Sequence, residues 1–211
     1  MGSELAITHE ECDFCSALAG YPRKWYDRVL WETRGFGVFV SSAPFFPCSL
    51  MIMPRSHVYR VAQLPQHELE QLEAIIADVR AIVARVSGEP RVAVFEHGQA
   101  DGSGPRPACV EHAHIHVMPI RDIDILPNML GHGDEVSSVS RLTVLRDITG
   151  PYFYLDDDAV GKYVGRGEYP SQFVRRLLAA SRGDDMGWDY ALGANEDLVR
   201  WTLDRMTPWP T

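Results

Sequence analysis

The stretch His112-Ala113-His114-Ile115-His116-Val117 decides how the rest of the chain is read. Along an extended strand side chains alternate between faces, so His112, His114 and His116 share one face, with neighbours roughly 6–7 Å apart. Ala113, Ile115 and Val117 take the other face, which is the core. Three imidazoles buried without partners are unfavourable, and three on a bare strand surface contribute no packing. The alternation therefore points to a ligand, a metal or both.

Outward from this strand, predicted over Val110 to Pro119, the chain reads as an ordered series. A Gly/Pro-rich loop, Gly98 to Pro107, precedes it, and a strand from Arg91 to Phe95 precedes the loop. Further back, Leu72, Ile75, Ile76, Val79, Ile82, Val83 and Val86 recur at helical spacing, with Glu68 and Glu70 at the start and Gly88 as the stop. Arg28 to Trp31 and Phe36 to Val40 read as a hairpin turning at Gly35. The loop Ser41 to Pro47 leads to a strand from Ser49 to Met53 that ends at Pro54. The order strand, strand, strand, helix, strand, loop, strand defines an α+β unit over residues 5–120, with a mainly antiparallel sheet and one long helix. Residues 121–211 change texture: a loop-like run from Ile123 to Ser140, short strands at Leu142 to Leu145 and Tyr152 to Leu155, and two helices. One helix follows Pro170 and Ser171 and ends near Gly183; the other is capped by Asn195 and runs to Met206. About 90 residues with so few long apolar runs make a marginal core alone, so this part is expected as an α/β extension packed on the first unit.

With 211 residues, 45% hydrophobic and 23% charged, the chain has material for one substantial core, and disordered, coiled-coil and collagen-like readings are excluded. Twenty Lys and Arg against 29 Asp and Glu give a net charge of −9, which argues against a nucleic-acid partner and favours a small-molecule one. No apolar run approaches the ~18 residues of a membrane span. Met1 to Glu11 has no signal-peptide character, so no membrane association and a cytoplasmic location are expected. Four cysteines are too few for a disulfide scaffold, and the Cys12-x-x-Cys15 pair suits metal or redox chemistry. Cys48 and Cys109 read as buried small apolar residues. A basic cluster at Lys162, Arg166, Arg175 and Arg176, with Gln172 one turn ahead of the two arginines, offers forks suited to phosphate or a solvated face beside Asp156 to Asp158. His97, at a strand end, is either a functional group or a surface histidine.

His112 to Met118 resembles the signature of the histidine-triad (HIT) superfamily, three histidines alternating with apolar residues. The similarity extends over Cys12 to Pro119: Phe36 to Val58 looks like the family's strand, loop and strand ending in a Pro-x-x-His turn, and Cys12-x-x-Cys15 looks like the zinc knuckle of many bacterial members. The last 90 or so residues match no part of the compact members. The resemblance implies an enzyme that attacks the α-phosphate of a nucleotide conjugate, with His114 as the nucleophile that becomes nucleotidylated. His116 would assist as an imidazolium facing the phosphoryl oxygens. It also nominates Cys12, Cys15, His57 and His112 as ligands of a structural zinc ion. Hydrolysis is the expected outcome. A nucleotidyltransferase or phosphorylase, a non-catalytic zinc-stabilised nucleotide-binding protein and a nucleic-acid end processor using Arg106, Arg121, Arg175 and Arg176 stand as alternatives. Compact members pair through sheets and helices, so the resemblance also raises a homodimer.

Two positions depart from the family. Ser41 stands where many members carry Asn or Asp against the ribose hydroxyls, and a serine is a shorter clamp. Pro107-Ala108-Cys109 stands where compact members carry Gly-Gln-Ser/Thr at the phosphate. Substrate contacts are therefore expected from Ser41, His97, Arg106, Gln172, Arg175 and Arg176, with the extension building the pocket for the non-nucleotide half.

Overall fold

The computed structural model describes residues 12–27, 29–98, 112–120, 125–128, 133–183, 189 and 195–206. Its elements in chain order are α1 (Asp13–Leu18), β1 (Val29–Thr33), β2 (Phe36–Val40), β3 (Leu50–Pro54), α2 (Gln66–Ser87), β4 (Val92–Gly98), β5 (Ile115–Pro119), β6 (Asp134–Glu135), β7 (Tyr152–Asp157), β8 (Gly161–Arg166), α3 (Phe173–Ser181) and α4 (Glu196–Met206). The β1–β2 turn uses Arg34 and Gly35, both at positive φ. Helix α2 buries Leu69, Leu72, Ile75, Ile76, Val79, Ile82 and Val83 along one stripe, and ends at a left-handed Gly88 whose N–H returns to the Ala84 carbonyl.

All strands join one antiparallel sheet in the order β1-β2-β3-β5-β4-β7-β8-β6. Strand β7 pairs with β4 from Ala93↔Asp157 to Gly98↔Tyr152, so the chain beyond residue 120 prolongs the sheet edge-on. At the end of that ladder a side chain on Gly98 would place its Cβ 2.4 Å from the Tyr152 ring, which accounts for the glycine.

The two faces of the sheet separate two cores, as period-two alternation demands. Val38, Leu50, Ile52, Val94, Ile115, Val117 and Tyr154 face α2, together with Val139, Leu142 and Leu145 and with α4 residues Val199, Leu203 and Met206. On the opposite face Phe39, Met51 and Met53 pack on α1 residues Ala17 and Leu18. Farther across that face Phe95, Phe153 and Leu155 pack on α3 residues Phe173, Val174 and Leu178. In the register Met51, His116, Phe95 and Leu155 form one row of this second face.

A buried polar network ties the later chain to the earlier. Arg60, 2% exposed, donates to the carbonyls of Arg146, Ile148 and Gly150 at 3.2, 2.8 and 3.3 Å. Glu96 accepts from the Val61 N–H and the Tyr152 hydroxyl, both at 2.6 Å. The acidic run Asp156 to Asp158 is also engaged: Arg91 meets Asp157 with two bonds, and Arg80 and Lys162 meet Asp156 at 2.7 and 3.3 Å.

Several predicted elements differ. Leu142 to Leu145 is not a strand but part of a 3-10 helix over Val139–Leu145, because its apolar residues Val139, Leu142 and Leu145 recur every three positions. The predicted strand from Val110 begins only at Ile115. His112 to His114 precede the ladder, held by Ala113 N–H bonded to the Val58 carbonyl at 2.7 Å. Residues 99–111, with Arg106 and Pro107-Ala108-Cys109, lie outside the described residues, as do Arg28, Arg121, Trp188 and Trp209. Among the described residues no helix is long and apolar enough to cross a membrane.

Candidate active site and metal centre

The alternation expected of the segment holds: Ala113, Ile115 and Val117 join the core that faces α2, while His112, beside Phe14 of α1, and the cleft-lining His114 and His116 lie on the other side. His112 is fully buried beside α1, its ring centroid 5.0 Å from that of His57, and His114 and His116, with centroids 4.8 Å apart, line a cleft that α3 also walls.

Cys12, Cys15, His57 and His112 bring their ligand atoms within 4.8 Å of one another. The Sγ of Cys15 lies 3.2 Å from His57 Nδ1 and 3.5 Å from His112 Nδ1, and the Sγ of Cys12 lies 3.6 Å from His112 Nδ1. Tetrahedral zinc with two thiolates and two imidazoles sets its ligand atoms about 3.3–3.8 Å apart. The donor set fits. His112 Nε2 lies 2.8 Å from the Pro54 carbonyl, which only accepts, so Nε2 carries the hydrogen and Nδ1 turns its lone pair to the sulfurs. Burial, then the neighbouring Cys12, push the Cys15 thiol up to about 12, so two thiolates at this spacing call for a cation between them. The sequence builds the group through α1, where Cys12 is the N-cap and its Sγ accepts from the Cys15 N–H at 3.4 Å.

In the cleft, His114 Nδ1 lies 2.8 Å from the His112 carbonyl. Because a carbonyl oxygen only accepts, Nδ1 carries the hydrogen and Nε2 presents the lone pair. Burial lowers the His114 pKa, opposed by that bond, which favours the neutral ring. His116 stacks on Phe95 with centroids 4.8 Å apart. Burial first, then His114 and Arg175, hold His116 well below the usual histidine range. That direction favours an uncharged His116 ring over the expected imidazolium, and the fixed cation beside it is Arg175.

The cleft, a cavity of about 140 Å³, is also lined by Ser41, His97, Gln172 and Arg175, residues far apart in sequence that the fold brings together with the two histidines. Arg175 donates from Nη1 to the Ala43 carbonyl and from Nε to Gln172 Oε1 at 3.1 Å, and its guanidinium lies over the Phe45 ring at 4.7 Å. Gln172 stands at the start of α3 in a left-handed conformation, and its amide also donates to Asp189. His97 meets the Tyr169 ring edge-on at 6.2 Å. Arg176 is not among the lining residues; its Nε donates to the Ser171 carbonyl at 2.8 Å. The basic cluster is thus split, with Lys162 paired to Asp156 and Arg175 in the cleft wall. Cys48 is buried in the core with its thiol pushed up to about 11 by burial, as suits an inert packing residue. Sequence reasoning missed Phe45, Phe95, Phe173 and Leu178 as cleft residues. Apolar residues in strands and helices carry no local mark that separates a cleft wall from a core.

Residues 23–123 match the family model of the HIT domain. This stretch of the chain is a HIT domain, and the Cys2His2 group beside the triad has the make-up of a zinc knuckle. The chain is 24% identical over 131 residues, 62% of its own length and 69% of the other's, to a bis(5'-nucleosyl)-tetraphosphatase [asymmetrical] of Schizosaccharomyces pombe. Among solved structures, a hypothetical histidine triad nucleotide-binding protein from Sulfolobus tokodaii superposes with a TM-score of 0.44 at 12% identity over 92% of each chain. A Zn-bound histidine triad family protein from Mycobacterium smegmatis gives 0.37 at 22% identity, over 65% of this chain and 91% of the other.

Proposed function

We propose that the protein is a nucleotide hydrolase that releases a nucleoside monophosphate from a nucleotide conjugate through a nucleotidyl-His114 intermediate. The carrying observation is the 2.8 Å bond from His114 Nδ1 to the His112 carbonyl, which leaves Nε2 as the nucleophilic nitrogen of a cleft-lining ring. The HIT-domain match and the distant tetraphosphatase relative support an enzyme acting on nucleotides.

In the first step the Nε2 lone pair forms a bond to the α-phosphorus, and the bond from phosphorus to the leaving group breaks. The leaving group departs with the electron pair and takes a proton from solvent. In the second step water attacks phosphorus, the N–P bond breaks, the electron pair returns to Nε2 and the proton of the water passes to solvent. His114 loses no proton in either step, because the nitrogen that reacts carries none. The neutral His116 ring donates one N–H toward the phosphoryl oxygens, and Arg175 supplies the permanent charge. Ser41 and His97 are the remaining polar groups proposed to bind substrate. Zinc on Cys12, Cys15, His57 and His112 would serve as a structural cross-link between α1, the Pro54 to His57 turn and the backbone that carries His114.

The test is to incubate the protein with dinucleoside polyphosphates, nucleoside phosphoramidates and nucleotide sugars, quench with base, and seek a nucleoside-monophosphate adduct by intact mass. His114→Ala is expected to abolish the adduct and to lower turnover at least about a thousandfold while leaving the melting temperature unchanged. Undiminished turnover in that variant overturns the reading. Product analysis with and without phosphate or a sugar phosphate separates hydrolysis from phosphorolysis and transfer.

A further inference from the structure

Gln172 opens α3 with φ 58° and ψ 36°, in the left-handed region. The residue at a helix start ordinarily has extended backbone and caps the helix with its own side chain. Gln172 does neither: its carbonyl accepts the first helical bond, from the Arg176 N–H at 3.0 Å, but its side chain makes no cap bond. The conformation is unfavourable for a residue that carries a Cβ, whereas glycine adopts it freely. Strain of this kind persists at sites where the surroundings use the side chain.

Both ends of the Gln172 amide are engaged. Oε1 accepts from Arg175 Nε at 3.1 Å, and Nε2 donates to an Asp189 carboxylate oxygen at 3.2 Å. A guanidinium only donates and a carboxylate only accepts, so the amide has one orientation. Arg175 is then held three times over, by Gln172 on Nε, by the Ala43 carbonyl on Nη1, and by the Phe45 ring, whose centroid lies 4.7 Å from the guanidinium. Ala43 and Phe45 belong to the loop between β2 and β3 that carries Ser41, and all of these residues except Asp189 line the cleft with His114 and His116.

An amide suits this place for a reason of charge. A carboxylate there would also hold the guanidinium, but as an ion pair that presents far less positive charge to a phosphoryl group. Neutral acceptors orient the guanidinium and leave its charge in place.

Building on the hydrolase reading, we infer that Gln172 is a positioning residue: its amide, on strained backbone, holds the Arg175 guanidinium against the β2–β3 loop with its positive charge toward the phosphoryl group that His114 attacks. This replaces the substrate contact expected of Gln172, because the bonds of its amide run to protein groups.

The probes are the 4-nitrophenyl esters of the four common nucleoside 5'-monophosphates, with diadenosine tetraphosphate beside them. On each ester His114 Nε2 bonds to phosphorus, the P–O bond breaks and 4-nitrophenolate leaves with the electron pair, so a colour burst at pH 8 reads nucleotidylation directly. Gln172→Ala and Gln172→Gly are each expected to lower kcat/KM by roughly tenfold or more. In an Arg175→Ala background the same changes are expected to cost less than about threefold, because a residue that acts through Arg175 has nothing left to position. Gln172→Gly also relieves the left-handed backbone, so it is expected to lose activity while melting no lower than the unaltered protein. Gln172→Glu is expected to keep the melting temperature and lose activity by pairing with Arg175. The inference is overturned by equal losses in both backgrounds, by unimpaired turnover in Arg175→Ala, or by a Gln172→Gly variant that keeps full activity or loses it in step with its melting temperature. A crystal structure of Gln172→Gly with the guanidinium still on the Ala43 carbonyl and the Phe45 ring overturns it as well. In each of these cases the hydrolase reading stands, whereas no adduct and no turnover with any probe removes both.

Discussion

Glu96 shows how much one buried residue contributes to the frame of the site. Burial pushes its carboxyl up to about 7 from an ordinary value of 4.5, against the opposing bonds from Tyr152 and Val61 and the charge of Arg60. Between those two values the folded protein holds the proton that the unfolded chain has released, so this residue makes stability fall as pH rises through the window and level off above about 7. Glu96→Gln keeps the shape and cannot ionise. Denaturant melts at pH 5 and pH 8 are expected to show the variant gaining on the unaltered protein by roughly 2–4 kcal/mol at the higher pH. An equal difference at both pH values would mean that the carboxyl does not titrate there. His116 teaches a related lesson: its sequence position implies a cation, while its buried place beside His114 and Arg175 disfavours one.

At the scale of elements, α1 is the least self-sufficient piece of the fold. Its six residues are far short of the ~12–15 that an isolated helix needs, so it is held by the Cys12 cap, by Ala17 and Leu18 against Phe39 and Met53, and by the proposed metal. The full-length protein is expected to carry about one zinc per chain by elemental analysis, and Cys15→Ser with His57→Ala to carry almost none and to melt several degrees lower. A strong chelator should reproduce that loss, and zinc should reverse it. Metal-free protein with an unchanged melting temperature would remove zinc from the account of the fold. Helix α3 plays the opposite part, placing Phe173, Val174, Arg175 and Leu178 over the cleft from a distant stretch of chain.

For the molecule as a whole, the decisive feature is that β4 has neighbours on both sides. Because β7 occupies its far edge, no second copy of the chain can pair along that strand, and among the described residues the edge strands of the sheet are β1 and the two-residue β6. A chain ended at residue 120 would bare the β4 edge, uncover Phe95 and the pocket that receives Tyr152, and leave Arg60 without the carbonyls of Arg146, Ile148 and Gly150. Such a truncation is expected to aggregate, checked by gel filtration and thermal melting. A cooperatively melting monomer within a few degrees of the full chain would show that residues 121–211 are dispensable to the fold.

By itself the sequence determined what local chemistry determines. The apolar spacing from Leu72 to Val83 specifies α2, the His-Ala-His-Ile-His-Val alternation marks the proposed catalytic segment, and Cys12-x-x-Cys15 marks one half of the proposed metal group. These signals are legible because hydrogen-bond periodicity and ligand spacing act over a few residues. Only the tertiary structure decided that His112 is buried with His57 while His114 and His116 line a cleft, that Lys162 and Arg175 part company, and that Leu142 to Leu145 coils instead of extending. It also decided that apolar residues from distant elements, among them Phe153 and Phe173, wall a cleft. The physical reason is that a side chain's partners across a sheet or beneath a helix lie tens of residues away, and the sign and strength of a charge depend on burial that no local pattern encodes.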